Sequence, residues 1–201
     1  MFIFVEIKSI LEVRLITTFT IRNLENLKEG HIYYRFKERN IYLNHLFSFI
    51  DTGFKNGDKV LIIESMKNLP KINEEIQQRY SADQRESIRI VNNFDYYFSG
   101  GDFHTKTILG HFEKDLTLLT KDNRSIRTWA HVEWASDEPD AEQLKEYEAT
   151  ADDFVAREKM VSVCAYSCNS LSPMLHSALE QVHKYVMTDE SFSISKLYKK
   201  P

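Results

Sequence analysis

Residues Gly30–Phe54, GHIYYRFKERNIYLNHLFSFIDTGF, decide the fold of this chain. An apolar, aromatic run bounded by glycine, HIYYRF, reads as a strand. It passes through the short polar link KERN into a segment that sets Leu43, Leu46, Phe47, Ile50 and Phe54 on one helical face. Asn56-Gly57 follows, a pair that tolerates the left-handed conformation in which helices end. Next comes Lys59–Ile63, KVLII, a continuous apolar run typical of a strand covered on both faces.

The unit then repeats outward. Asn68–Tyr80 carries Leu69, Ile72 and Ile76, with Pro70 near its start, where a missing N–H costs little. Ser87–Val91 reads as a third strand. Ser99-Gly100-Gly101-Asp102 reads as a loop, with Asp102 or Thr105 capping a helix that carries Ile108, Leu109, Phe112 and Leu116. Ser125–Val132 is a fourth strand, Ala141 to about Arg157 a helix, and Val161–Tyr166 a fifth strand. A helix opens at Ser172-Pro173, and the tail Thr188–Tyr198 adds an edge strand. Strand and helix alternate throughout, which predicts an α/β fold of three layers: a mostly parallel sheet with helices on both faces.

The chain has 201 residues, enough for one such domain. With 42% hydrophobic and 28% charged residues and a net charge of −4, nothing suggests an electrostatic grip on nucleic acid or acidic lipid. Cys164 and Cys168 are the only cysteines, which fits a reducing, cytoplasmic setting. The N-terminal run MFIFVEIKSILEVRLITTF is interrupted by Glu6, Lys8, Glu12 and Arg14, so it offers no membrane span, and it lacks a signal-peptide pattern. Residues 1–27 read as an appendage whose alternation suits a strand without excluding a helix. Residues 28–201 read as the domain proper.

In an open parallel sheet, ligands bind beyond the carboxyl ends of the strands. That rule selects Tyr34 and Arg35, Glu64, Asn92, Asn93 and Asp95, His131, Glu133 and Trp134, and Tyr166 and Cys168. These groups suit an apolar pocket with a few fixed hydrogen-bonding partners. The bland alternative stands beside it. Tyr33 and Tyr34 alternate across a strand, so one belongs in the core and the other is offered to a pocket. Trp129, His131 and Glu133 share one strand face, and they can equally form a buried network that holds the next helix. His131 with Glu133 also has the spacing of an acid–base pair, but no oxyanion hole or cofactor motif accompanies it. No HxxxH, HxH or CxxC spacing supports a metal site, so none is expected. Phosphate binding at a strand–helix junction needs glycines that let backbone N–H groups approach the anion. KERN has none, and Gly100-Gly101 reads as a turn, so ATP or GTP hydrolysis is not expected.

GHIYYRF, FKNGDKVLIIES, IRIVNNFDYYFSGGDFHTKTIL, SIRTWAHVEWA, LKEYEATAD and VSVCAY together resemble the MEDS (methanogen/methylotroph sensory) domain. The resemblance runs from about Lys28 to about Tyr198. It implies a RecA/KaiC-like domain without a phosphate loop, acting as a non-enzymatic sensory module in bacterial signal transduction. It further implies a small hydrocarbon-type ligand, no cofactor, and output through a partner such as a histidine kinase or another signalling protein. His31 and Tyr34 match the family's first-strand residues, Trp129, His131 and Trp134 its fourth-strand motif, and Cys164 and Tyr166 its Cys-x-Tyr strand. With Glu64 and Asn93 at the rim, the expected ligand set is His31, Tyr34, Glu64, Asn93, Trp129, His131, Trp134 and Tyr166. The alternative is a protein-interaction module of the same fold with no small ligand, docking through the N-terminal segment.

Overall fold

The computed structural model describes residues 24–99, 104–119, 124–134 and 139–199. Most of the expected N-terminal appendage, and the Gly100-Gly101-Asp102 loop, lie outside the described residues. The chain runs β1 (Gly30–Phe36), α1 (Arg39–Asn56), β2 (Lys59–Glu64), α2 (Leu69–Arg79), α3 (Ala82–Glu86) and β3 (Ile88–Asn92). It continues through α4 (Asn93–Phe98), α5 (Thr105–Leu119), β4 (Ile126–His131), α6 (Ala141–Glu158) and β5 (Val161–Ser167). After a 3-10 turn at Cys168–Ser170 come α7 (Pro173–Val182), β6 (Tyr185–Thr188) and β7 (Phe192–Ile194).

Among the described residues the strands form one seven-stranded sheet in the order β3-β2-β4-β5-β1-β6-β7. All neighbouring pairs are parallel except β6 with β7. Helices α5, α6 and α7 cover one face, where Tyr33, Leu61, Ala130 and Cys164 meet Leu116, Leu144 and Leu179. Helices α1 and α2 cover the other, where Tyr34, Ile62 and Trp129 meet Leu46, Ile50 and Ile72. The predicted three-layer α/β architecture is therefore present. Its core rests on residues such as Leu46, Ile50 and Val163, none of which is exposed at all. Each such side chain contributes roughly 1.5–3 kcal/mol of burial.

Local chemistry sets the boundaries. Asp140 caps α6 by accepting from the N–H groups of Glu142 and Gln143 at 3.0 and 3.1 Å. Helix α1 stops at Gly57, whose φ of 78° is left-handed, with the Asp58 N–H donating to Gly53 O at 2.8 Å. A Cβ at Gly57 would meet nothing within 4 Å, so a substitution there costs backbone strain alone. Gly57→Ala is expected to lower stability by about 1 kcal/mol, read as a lower urea midpoint at unchanged slope.

Two features differ from the sequence reading. The tail Thr188–Tyr198 does add an edge strand, β7, but between it and β1 lies the unexpected β6, which begins at Tyr185 and pairs with β1 through Ile32 and Tyr185. That pairing joins residues far apart in sequence, so no local periodicity announces it. Helices α3 and α4 are five and six residues long, too short for a helical period, and arise from the capping residues Ser81 and Asn92.

At the amino end of the sheet, Arg127 of β4 is 1% exposed. It donates from Nε to Asp58 Oδ2 at 2.8 Å and from Nη1 to the Phe49 carbonyl at 3.3 Å. Ser125 donates to the other oxygen of Asp58. This buried pair ties the α1–β2 turn to β4.

Candidate functional site

The junction between β1 and α1 does not stand empty. The N–H groups of Lys37 and Glu38 point to one oxygen of Asp189, at 3.0 and 2.8 Å. The Tyr34 hydroxyl donates to the other oxygen at 2.7 Å. Asp189 follows β6, in the turn to β7, and its residue is buried. Glu38, at the α1 N-cap, makes no side-chain cap of its own. A helix start attracts negative charge because its N–H groups lack intrahelical partners. Here the chain supplies the acceptor itself, the Asp189 side chain from the turn after β6. His45 Nδ1 lies 3.0 Å from the Tyr34 oxygen. Since the single Tyr34 proton goes to Asp189, His45 must donate, which places its proton on Nδ1. Burial drives the His45 pKa down to about 4, against the opposing pull of Asp189, so the ring is neutral.

A second network lies on the same face. Trp129 Nε1 donates to the Tyr42 hydroxyl at 2.9 Å, and Tyr42 donates to Glu64 Oε2. Glu64 Oε1 accepts from His131 Nδ1 at 2.6 Å, from the Ser65 N–H at 2.7 Å and from Asn68 Nδ2 at 3.1 Å. Burial favours a neutral Glu64, but the His131 charge and the surrounding donors override it and hold the carboxyl below its usual range. Burial likewise opposes the His131 charge, and Glu64 overrides it, so the imidazole pKa is raised. Each partner thus favours the charged form of the other, carboxylate against imidazolium. At the edge, Asn93 Nδ2 donates to Glu133 Oε2 at 2.8 Å and to the His131 carbonyl at 3.1 Å. His131 Nε2 makes no hydrogen bond and lies 3.4 Å from Glu133 Oε1.

The opposite face carries a third group. His31, Glu148, Cys164 and His183 come together beneath α6 and α7, all buried. Tyr166 donates to Glu148 Oε1.

The eight expected ligand residues therefore do not converge on one cavity. Tyr34, Glu64, Trp129 and His131 face α1 and α2. His31, Tyr166 and Trp134 face α5, α6 and α7, with Trp134 and Tyr166 ring centres 6.3 Å apart. The reason is the two-residue period of a strand, which sends His31 and Tyr34 to opposite sides. His31 also sits at the start of β1, away from the carboxyl edge. Neither Tyr33 nor Tyr34 has any exposed surface. One cleft of about 400 Å³ opens at the amino ends of β4 and β5, by Ser125, Ile126 and Met160. Another of about 420 Å³ lies beside β3, by Arg89, Asn92, Asp95, Tyr96 and Asp115, so the strand-end positions Asn92 and Asp95 line it. Asp189, Tyr42 and His45, which complete the two networks, escape sequence reasoning because each sits outside the strand ends. Only the helical spacing of Tyr42 and His45 hints that they share a face with the sheet.

Sheet order and layers define an α/β domain of RecA-like architecture. Solved structures agree on that fold. A KaiC-like protein of the hyperthermophilic archaeon Pyrococcus horikoshii OT3 superposes with a TM-score of 0.53 at 11% identity, over 81% of this chain and 72% of the other. A solved ATPase domain gives 0.51 at 10% identity, over 81% and 69%. At such identities the likeness speaks for the fold alone. Comparison with curated proteins gives no match. The sequence pattern of the MEDS family, the methanogen/methylotroph, DcmR sensory domain, matches residues 30–184, and the chain belongs to that family. Among the described residues no helix is long and apolar enough to cross a membrane.

Proposed function

We propose that this chain is a non-enzymatic sensory domain that binds a small, uncharged or weakly polar molecule at the carboxyl edge of the sheet and signals through a protein partner. The observation that carries the reading is the Asp189 carboxylate seated on the Lys37 and Glu38 N–H groups. A nucleotide phosphate at this junction would have to displace a covalently tethered anion and would meet its charge. Glu64, the one acid at the end of β2, has no exposed surface and is engaged by four donors, which argues against a role as a base toward substrate. The reachable rim is Glu133, half-buried, held by Asn93 Nδ2 and 3.4 Å from the unbonded Nε2 of His131, followed by the half-buried Trp134, whose ring packs toward Tyr166. A partly exposed aromatic residue next in sequence to a fixed polar group suits a neutral guest. A signal then requires that the guest bind two conformations unequally.

Calorimetric titration with magnesium and ATP is expected to give no binding, and a thermal-shift screen of short-chain alcohols, amines and halocarbons to give at least one stabilising hit. That hit should be lost in Trp134→Ala. Saturable magnesium-dependent ATP binding, or a screen in which nothing shifts the transition, overturns the reading. A second reading, partner docking without a small ligand, draws on Met66, Phe94 and Met174. These are 65%, 56% and 70% exposed, in the segments that follow β2, β3 and β5. Capture of a signalling partner that is abolished by Met174→Asp yet unaffected by Trp134→Ala favours it.

A further inference from the structure

We propose that His31, Cys164, His183 and Glu148 form a four-coordinate site for one divalent transition-metal ion of the zinc class. Four different elements supply the side chains: His31 from β1, Glu148 from α6, Cys164 from β5, and His183 from the link between α7 and β6. One ligand atom from each lies within 4.8 Å of all the others. His31 Nε2 is 3.2 Å from Cys164 Sγ, and Glu148 Oε2 is 3.5 Å from both His31 Nε2 and His183 Nε2. A tetrahedron built with metal–ligand bonds of about 2.0–2.3 Å has edges of roughly 3.3–3.8 Å. These three separations match such edges, and a pair at the 4.8 Å limit would have to close by about 1 Å.

The surroundings orient the donors as a metal would need. His183 Nδ1 lies 2.8 Å from the Leu179 carbonyl, which cannot donate, so the ring proton sits on Nδ1 and the Nε2 lone pair faces the cluster. The Tyr166 hydroxyl takes Glu148 Oε1 and leaves Oε2 free. Asp152 Oδ1 is 3.5 Å from His31 Nδ1 and is itself held by the Tyr198 hydroxyl through its other oxygen at 2.8 Å. A carboxylate behind a ligating histidine is the common arrangement around protein-bound zinc. Two of the inward-facing atoms, Glu148 Oε2 and His183 Nε2, are buried and make no hydrogen bond. Leaving such groups unpaired is costly, and each would gain a partner from a central cation. The charges also balance: a thiolate and a carboxylate with two neutral imidazoles neutralise a divalent ion. One sulfur, two nitrogens and one oxygen favour zinc or cobalt over magnesium or calcium. With four protein ligands the site is closed, which suits a structural ion that staples α6 and the α7–β6 link to the sheet.

The proposal stands apart from the small-molecule reading and is tested separately. The full chain, free of any tag, stripped of metal and kept reduced under argon, is titrated with cobalt(II) alone. The expected result is one cobalt per chain, the intense visible bands of a four-coordinate centre, and a near-ultraviolet thiolate-to-cobalt band. Zinc should displace the cobalt, since zinc binds such sites more tightly. Cys168→Ser should leave the thiolate band in place, which assigns it to Cys164. Cys164→Ser should abolish that band, and His183→Gln should weaken binding by more than about tenfold. The exposed His104→Gln should change nothing. If the ligand variants fail to fold, the spectrum of the unmodified chain together with Cys168→Ser still decides. Absence of binding, a weak six-coordinate spectrum, or a thiolate band lost in Cys168→Ser overturns the site.

Discussion

Glu64→Ala is expected to lower the unfolding free energy by about 3–5 kcal/mol, the usual cost of stranding one member of a buried ion pair. The Tyr42 hydroxyl, the Ser65 N–H, Asn68 Nδ2 and the His131 imidazolium would all lose their acceptor at once. Water cannot readily replace it, because Glu64 is not exposed at all. The measurement is a urea transition at constant pH, with the loss appearing in the midpoint and not in the slope. Glu64→Gln keeps an acceptor and should lose less, and it separates charge from shape through pH. The raised His131 pKa means that its share of stability is complete below the ordinary histidine value and is lost as pH rises through the folded-state value. The lowered Glu64 pKa means that its share is complete above the ordinary carboxyl value and is lost as pH falls through the folded-state value. The share carried by this pair is therefore complete between the ordinary carboxyl and histidine values, and in Glu64→Gln the part of the alkaline decline that belongs to His131 should flatten. An unchanged midpoint in Glu64→Ala would mean that the network carries no stability.

Asp58→Ala should cost a comparable 3–5 kcal/mol or so for the same reason at the opposite end of the sheet. Arg127 would keep its charge but retain only the Phe49 carbonyl at 3.3 Å and the Phe49 ring, whose centre is 4.8 Å from the guanidinium carbon. The companion Arg127→Met, combined with Asp58→Ala, should recover most of the loss, because two apolar groups strand no charge. A double variant no better than Asp58→Ala would locate the cost in packing and not in the unpaired cation. The two sites are distant from one another, so their single-variant losses should add.

Most of the fold was legible in the residues, because each large element carries its own period. KVLII announces a strand sheathed on both faces, and Leu43, Leu46, Phe47, Ile50 and Phe54 announce the inward stripe of α1. Leu144, Tyr147, Ala151 and Phe154 do the same for α6. The glycine-free KERN link was equally plain, since a cradle of backbone N–H groups needs residues without side chains at the point of approach. The candidate sites were legible only in part. Strand ends could be picked out as positions, so Glu64, Asn93 and His131 were found. Which side of the sheet each residue faces relative to residues on other strands depends on register, which no single strand encodes. His31 and Tyr34 are a different case: three residues apart on one strand, they project to opposite layers by the strand period alone, and only the family resemblance groups them in one pocket.

What the amino-acid order determined by itself was the alternation of elements, their inward faces, the missing phosphate cradle and membership of the sensory family. What tertiary structure alone decided was which distant groups meet. Asp189 reaches the start of α1 only because β6 lies against β1. His31, Glu148, Cys164 and His183 become neighbours only because β5 pairs with β1 and α6 packs across them. Periodicity is a property of adjacent residues and survives in the sequence. Proximity between residues far apart exists only once the chain has given up its conformational freedom to bury a common core.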